Sequence, residues 1–381
     1  MSDPPANADS SVPVTLVSLS LYFLRLGSTG FGGPIALAGA MQRDLVQGRR
    51  WFSEVEFHEG LAFSQLAPGP LAAQLAIYLG FLRYGVPGAT FAGVAFVLPS
   101  FLMVVGLSMA YVRYGGLAWM HGVFYGVGAA VVGIIARSAV KLAVSTTRKD
   151  WKLWFTVGTV AVATAWTESE IVWLFLLSGI LNLILDAVRQ RRMVRLSALP
   201  LIDFAVPIHG THTELFLFFA KASLFVFGSG LAIVPFLHSG LVVERHWLSE
   251  QQFLDAVAVA MITPGPVVIT VAFIGFLVAG FSGAIVAALG VFLPVYGTVI
   301  LFATHFRRLN RNPNVQSFVA GVTAAAAGAI AGSAFILGRS AITDLGSSLL
   351  AVLCVFLLYR WKVPEPALVL AAGMVGWAIS H

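Results

Sequence analysis

Ala67-Pro68-Gly69-Pro70 returns as Thr263-Pro264-Gly265-Pro266, with Pro68 and Pro264 separated by 196 positions. The surroundings return with it at the same spacing. Trp51, Ser53, Glu54 and Phe57 match Trp247, Ser249, Glu250 and Phe253; Phe31-Gly32 matches Phe227-Gly228, and Arg25 matches Lys221. The spacing then falls to 195, where Gly80-Phe81 matches Gly275-Phe276, Pro99 matches Pro294 and Ser138-Ala139 matches Ser333-Ala334. One Pro-Gly-Pro pair is a weak signal. An ordered series held over such a length is an internal duplication.

The 381 residues are 58% hydrophobic and 10% charged, with a mean hydropathy of +0.88. Long apolar runs between short charged loops indicate a multi-spanning helical membrane protein. Each span must satisfy its own backbone in lipid, and these runs do not alternate as barrel strands do. The net charge of +6 comes from loop residues and is not a nucleic-acid footprint, and the single cysteine, Cys354, excludes a disulfide framework. The segment from Met1 to Pro13 carries Asp3 and Asp9 and no Lys or Arg. That is the wrong charge for a cleaved signal, so the first span is expected to act as an uncleaved one.

The first half reads as apolar runs at Val14–Met41, Gly60–Leu82, Gly88–Val112, Met120–Val144, Leu153–Trp166 and Ile171–Leu185. The second reads as Leu215–Leu241, Ala256–Leu277, Gly283–Thr304, Ser317–Leu337, Ser347–Leu358 and Ala367–Ile379. Two repeats are expected at 14–188 and 214–381, joined by a cytoplasmic linker at 189–213. The basic clusters at 148–152, 189–195, 307–311 and 360–362 belong inside. Equivalent loops carry opposite bias. Arg307, Arg308 and Arg311 answer to Arg113 alone, and the 148–152 cluster answers to a stretch near Ile342 with no basic residue. The halves are therefore expected upside down relative to each other. Parity then requires each Pro-Gly-Pro segment to enter and leave on one side. The predicted fold is all-α, with about ten transmembrane helices, two re-entrant helical hairpins, two inverted repeats and both termini outside. A full span over Gly60–Leu82 is the rival.

Two prolines around a glycine cannot continue a helix. The second half-helix of each hairpin should begin just after Pro70 or Pro266 and present free N–H groups and a positive dipole end to an anion. Pro68, Gly69, Pro70, Pro264, Gly265 and Pro266 are thus candidate site residues. The glycines Gly32, Gly33 and Gly228 would add N–H groups, or would only permit close packing. Arg25 and Lys221 fall inside apolar runs, where a cation costs at least about 2.5–3.5 kcal/mol. They suggest charge for an anion, with snorkelling to the headgroups as the alternative. Gln65, with Ser64 and Gln74, could hold an oxyanion or only pack. Glu59 and Asp255, equivalent in the repeat, could carry a coupling proton, pair with Arg25 or Lys221, or cap an interfacial helix. Glu54 and Glu250 follow a serine and read as helix-capping residues. Arg137 and Lys141 share a face, either as part of a pathway or as anchors. No Walker motif, zinc spacing or nucleophile elbow is present, so an ATP-driven pump or an enzyme with a cofactor or metal is not indicated.

Phe23-Leu24-Arg25-Leu26-Gly27 leading to Phe31-Gly32-Gly33-Pro34, then Trp51 to Phe57, then Gln65-Leu66-Ala67-Pro68-Gly69-Pro70, resembles the chromate transporter (CHR) family. The duplication resembles its long-chain, two-domain members. The resemblance implies a carrier in the bacterial inner membrane that exports chromate, confers chromate resistance and draws on the proton-motive force. Sulfate is the expected competitor, and a homodimer is compatible. The second half departs from the first, with Ser229-Gly230 for Gly33-Pro34 and Met261 for Gln65. A sulfate or other oxyanion transporter, an anion channel and a membrane-embedded enzyme on a prenyl phosphate are the other readings. The last would need clustered carboxylates at mid-membrane.

Overall fold

The computed structural model describes residues 12–31, 33–114, 118–147, 150–167, 172–189, 210–224, 226, 230, 233–306, 312–342, 344–361 and 363–379. Among them the chain is built of helices, with no strand. The basic clusters at 189–195 and 307–311 lie wholly or almost wholly outside the described residues, as does most of the expected linker.

The first half opens with α1 (Leu16–Thr29), capped by Thr15, and α2 (Gly33–Met41), which runs into a π-helical turn. Helix α3 (Glu54–Leu66) and α4 (Leu71–Tyr114) follow. Forty-four helical residues would reach roughly 66 Å, about twice the hydrocarbon thickness. The helix therefore turns back at Tyr84 and Gly85, where Gly85 has φ 59°. The limbs 71–83 and 86–114 pack antiparallel. A Cβ on Gly80 would lie 2.3 Å from Gly88 O, and one on Gly93 2.9 Å from Ile77 Cγ1. Helices α5 (Ala118–Thr147), α6 (Trp151–Thr167) and α7 (Val172–Arg189) complete the half.

The second half repeats the plan. It comprises α8 (Thr211–Ser223), α9 (Ile233–His238), α10 (Glu250–Ile262), α11 (Thr270–Phe302), α12 (Pro313–Ala341), α13 (Leu345–Arg360) and α14 (Glu365–Ile379). Helix α11 folds back at Ala279 and Gly280, as α4 does. Even the strained residues recur: Arg50 and His246 both have φ 53°. Each follows an arginine stacked on a pair of rings, Arg49 on Tyr22 and Trp51, Arg245 on Phe218 and Trp247. Here the repeat keeps the geometry while Phe218 stands in the place of Tyr22.

Equivalent helices run in opposite directions. Where α5 meets α12, a Cβ on Gly128 would lie 3.5 Å from Ala341 Cβ, and one on Gly338 would lie 3.6 Å from Val132 Cγ1. Copies pointing the same way would pair low numbers with low. The expected inversion is therefore present. The halves also interlock. Helices α13 and α14 pack on α5 of the first half, and α6 and α7 pack on α12 of the second. Glycines allow the backbones to meet, as Gly126 does at Ala372 and Gly321 at Ser178.

The exterior is apolar: Phe155, Val162, Val352, Leu301 and Met374 are exposed. Among the described residues, four stretches, 71–114, 122–147, 267–302 and 313–341, are long and apolar enough to cross a membrane. The all-α polytopic fold stands, with an outer surface suited to lipid.

Candidate functional site

The hairpin around Pro68-Gly69-Pro70 begins and ends on one side. Arg83, at its exit, forms two bonds to Glu56, 3.0 and 2.8 Å, and donates to Trp51 O at 2.6 Å. Glu56 and Trp51 lie at its entrance. Halfway along, the rings of Phe63 and Tyr78 stack at 5.4 Å. The two limbs are thus antiparallel neighbours, as a re-entrant hairpin requires and a continuous span forbids. In the repeat, Val278 replaces Arg83 and Gln252 replaces Glu56, so the second hairpin has no such ion pair.

Both hairpins start with a capping box. Ser53 Oγ accepts from Glu56 N–H and Glu56 accepts from Ser53 N–H; Ser249 and Gln252 do the same. This corrects the expectation for Glu54 and Glu250, which stand at the first helical position. The reciprocal partner must be three residues after the cap, because only there does the side chain reach back to the cap's N–H. Glu250 instead accepts from the buried His238, 2.9 Å away. The first hairpin's second limb starts just after Pro70, as expected, whereas in the second a 3-10 turn precedes the α-helix. The first hairpin's second limb begins at Leu71, and Pro266 caps the 3-10 turn Val267–Ile269 with an extended ψ of 122°.

The tips dock on the opposite half. Gly69 N–H donates to Val226 O at 2.6 Å, and Gly265 N–H donates to Gly30 O at 2.8 Å. Val226 and Gly30 are themselves equivalent, in the breaks between α8 and α9 and between α1 and α2. The broken helices therefore offer a carbonyl where further N–H groups were expected. Gly69 and Gly265 adopt φ 133° and 97°, conformations that L side chains rarely take. The second tip is the tighter. A Cβ on Gly265 would lie 1.9 Å from Ser100 Oγ, and Ser100 donates to Gly27 O at 3.2 Å.

Pro70, Gly69, Pro264, Gly265 and Pro266 are buried or half-buried, as is Pro68. The tips face protein, not lipid. Gly33 opens α2 at φ 75°, whereas Gly32 and Gly228 lie outside the described residues. Arg25 and Lys221 are both exposed, each in the last turns of the helix that ends at a break. Lys221, in the last turn of α8, suits the negative helix end, and both cations precede the carbonyl that receives a tip.

The equivalent carboxylates differ. Asp255 is 1% exposed, accepting from Tyr111 OH of the first half at 2.8 Å and from Gln251 Nε2 at 2.9 Å. Pairing with Lys221 is not its arrangement. Glu59 is half-buried in a groove along α3 with Glu54, His58 and Gln65. Gln65 is exposed, and Ser64 is spent on Gly60 O, 2.8 Å. The counterpart face of α10 is buried against α5 and α14. Tyr111 has no sequence signal, since its repeat counterpart is Phe306. Arg137 and Lys141 of α5 act electrostatically on Glu365 at the start of α14, so these cations of the first half answer to a carboxylate of the second.

Two interlocked, inverted copies with broken helices and paired re-entrant tips define a helical membrane transporter. The chain belongs to the chromate transporter family, whose model matches residues 17–183 and again 213–377. It is 53% identical over 376 residues to the chromate transport protein of Cupriavidus metallidurans, covering 95% of this chain and 92% of that one. It is 52% identical to the probable chromate transport protein of Synechococcus elongatus, covering 95% of each. A chromate transport protein of Pseudomonas aeruginosa is 30% identical, covering 96% of this chain and 93% of that one. No solved structure gives a significant match.

Proposed function

We propose that this chain exports chromate across the bacterial inner membrane, driven by the proton-motive force, and so confers chromate resistance. The names of the relatives support the substrate. The observation that carries the mechanism is the reciprocal docking of the tips, Gly69 on Val226 and Gly265 on Gly30. Each bond joins one half to the other, so rocking the halves remakes both contacts together. That is the coupling alternating access needs. The repeats at 14–188 and 214–381 are the moving bodies, joined through a cytoplasmic linker at 189–213.

In this reading the oxyanion meets the helix start after Pro70 and the corresponding turn after Pro266. Arg25 and Lys221 draw it toward the breaks. Asp255 carries the coupling proton. A carboxylate surrounded by apolar groups and two neutral donors is expensive, and a proton removes that cost. Glu59, in the open groove, exchanges with solvent. Sulfate, similar in shape and charge, competes for entry.

The test is uptake of labelled chromate into everted membrane vesicles, with and without an imposed pH gradient. Gradient-dependent accumulation is expected. Accumulation unaffected by dissipating the gradient sinks the coupling, and no chromate flux above empty vesicles sinks the substrate.

A further inference from the structure

The helix start after Pro70 carries an acceptor among its donors. The first bond within that limb is Gln74 N–H to Pro70 O, 3.0 Å. The N–H groups of Leu71, Ala72 and Ala73 therefore have no partner inside the helix. All three residues are buried, and Gln74 is 0% exposed. The Gln74 side chain folds back over this end, where Nε2 donates to Pro68 O at 2.5 Å. The same nitrogen would sit 2.7 Å from a Cβ on Gly69. A carbonyl only accepts, so this bond fixes which end of the amide is nitrogen. The other end, Oε1, is a buried acceptor with no hydrogen-bond partner. Such an atom is costly to keep unless a ligand completes it. The second tip has no equivalent: Thr270 replaces Gln74, and its hydroxyl donates to Val267 O at 2.7 Å.

We propose that the first Pro-Gly-Pro tip binds its oxyanion in a protonated form. The O–H of a hydrogen oxyanion donates to Gln74 Oε1, while its other oxygens accept from the N–H groups of Leu71, Ala72 and Ala73. This rests on the oxyanion-transport reading and adds to it the protonation state of the cargo. The positive helix end holds the charge. A fully ionised dianion has no proton to give and sets its own lone pair against Oε1. Chromate and sulfate are alike in shape but not in basicity. Chromate takes up a proton near neutrality, sulfate only in strong acid. One buried acceptor thus separates two anions that size does not. Sites built around a substrate O–H reject analogues lacking it far more strongly than apolar pockets reject misfits.

The elements around this end bring Val295 and Val226 against it. The charged and titratable groups on the packed elements include Arg25 on α1, Glu54, Glu56, His58 and Glu59 on α3, Tyr78 and Arg83 of the hairpin itself, Lys221 on α8 and Asp255 on α10. Titration of any of these alters the binding of protonated and proton-free anions alike, which a competition experiment separates from titration of the cargo.

The experiment is equilibrium binding of labelled chromate to the purified full chain, from mildly acidic to mildly alkaline pH, with sulfate and selenate as proton-free competitors. Above chromate's own titration, the Kd for total chromate should rise about tenfold per pH unit, as the competent fraction falls. Sulfate and selenate should compete at least about a hundredfold more weakly. Gln74→Leu should flatten the pH slope and strengthen sulfate competition about tenfold. A wild-type Kd that does not rise with pH, or Gln74→Leu with slope and discrimination intact, overturns the proposal. Should Gln74→Leu fail to fold, the wild-type slope and the competition decide alone. Binding of no oxyanion at all removes the transport reading, and this inference with it.

Discussion

Gly69 N–H donates to Val226 O at 2.6 Å, and the repeat-related Gly265 and Gly30 make the same bond at 2.8 Å. Each hairpin tip is thus held by the broken helix of the other copy. The relationship places both Pro-Gly-Pro turns at the seam between the halves.

A methyl group at either tip glycine should disturb that seam, and unequally. At Gly69 a Cβ would press on Val295 Cγ2 at 2.9 Å and Gln74 Nε2 at 2.7 Å, side chains that can move. At Gly265 it would overlap Ser100 Oγ at 1.9 Å. Both substitutions also strain a backbone at positive φ, worth about 1–3 kcal/mol. Gly265→Ala is expected to lower the melting temperature in detergent more than Gly69→Ala, with chromate flux reduced at least about tenfold in both. Melting curves and vesicle uptake check this, and wild-type flux in both variants would free the tips from the seam.

The base of the first hairpin is the second target. Arg83→Ala loses the paired bonds to Glu56, the bonds to Trp51 O and the stacking on Phe52 at 4.6 Å. The ion pair is partly exposed, so about 1 kcal/mol is expected from it, with the Trp51 bonds adding a similar amount. Arg83→Lys keeps a charge but not the fork, and should recover less than half of the loss in melting temperature. Full recovery by lysine would reduce the site to simple charge pairing.

Arg25 and Lys221 are tested by removal. Both are exposed, so Arg25→Ala and Lys221→Ala should fold with melting temperatures near wild type. Chromate flux should fall about tenfold in each, and about as much in the other orientation of the vesicle. Normal flux in both variants would leave them as headgroup anchors.

Asp255 and Glu59 occupy the same place in the repeat but different surroundings. Asp255→Asn keeps an acceptor for Tyr111 and removes the exchangeable proton. It should abolish accumulation against a gradient while chromate binding, with its own pH dependence, survives. Glu59→Gln should change uptake less than about threefold, because the groove around it is open. Equal responses in the two variants would show that position in the repeat, not burial, sets the role.

The duplication, the helical class and the broken segments were legible in residues alone. Proline and glycine act locally on the backbone, and a fixed spacing needs no coordinates to see. Charge bias in equivalent loops also foretold the inversion that Gly128 facing Ala341 displays. Legibility ended where partners are distant in sequence. That Asp255 meets Tyr111, that Glu250 serves His238 and that each tip seats on the opposite half follow from packing between separate helices. Helices break at Pro68-Gly69-Pro70 and Pro264-Gly265-Pro266 whatever packs around them, because no helix continues through two prolines. Where the freed backbone groups go depends instead on the packing of distant helices. A buried N–H takes whichever acceptor the folded neighbours bring, and here they bring Val226 and Gly30.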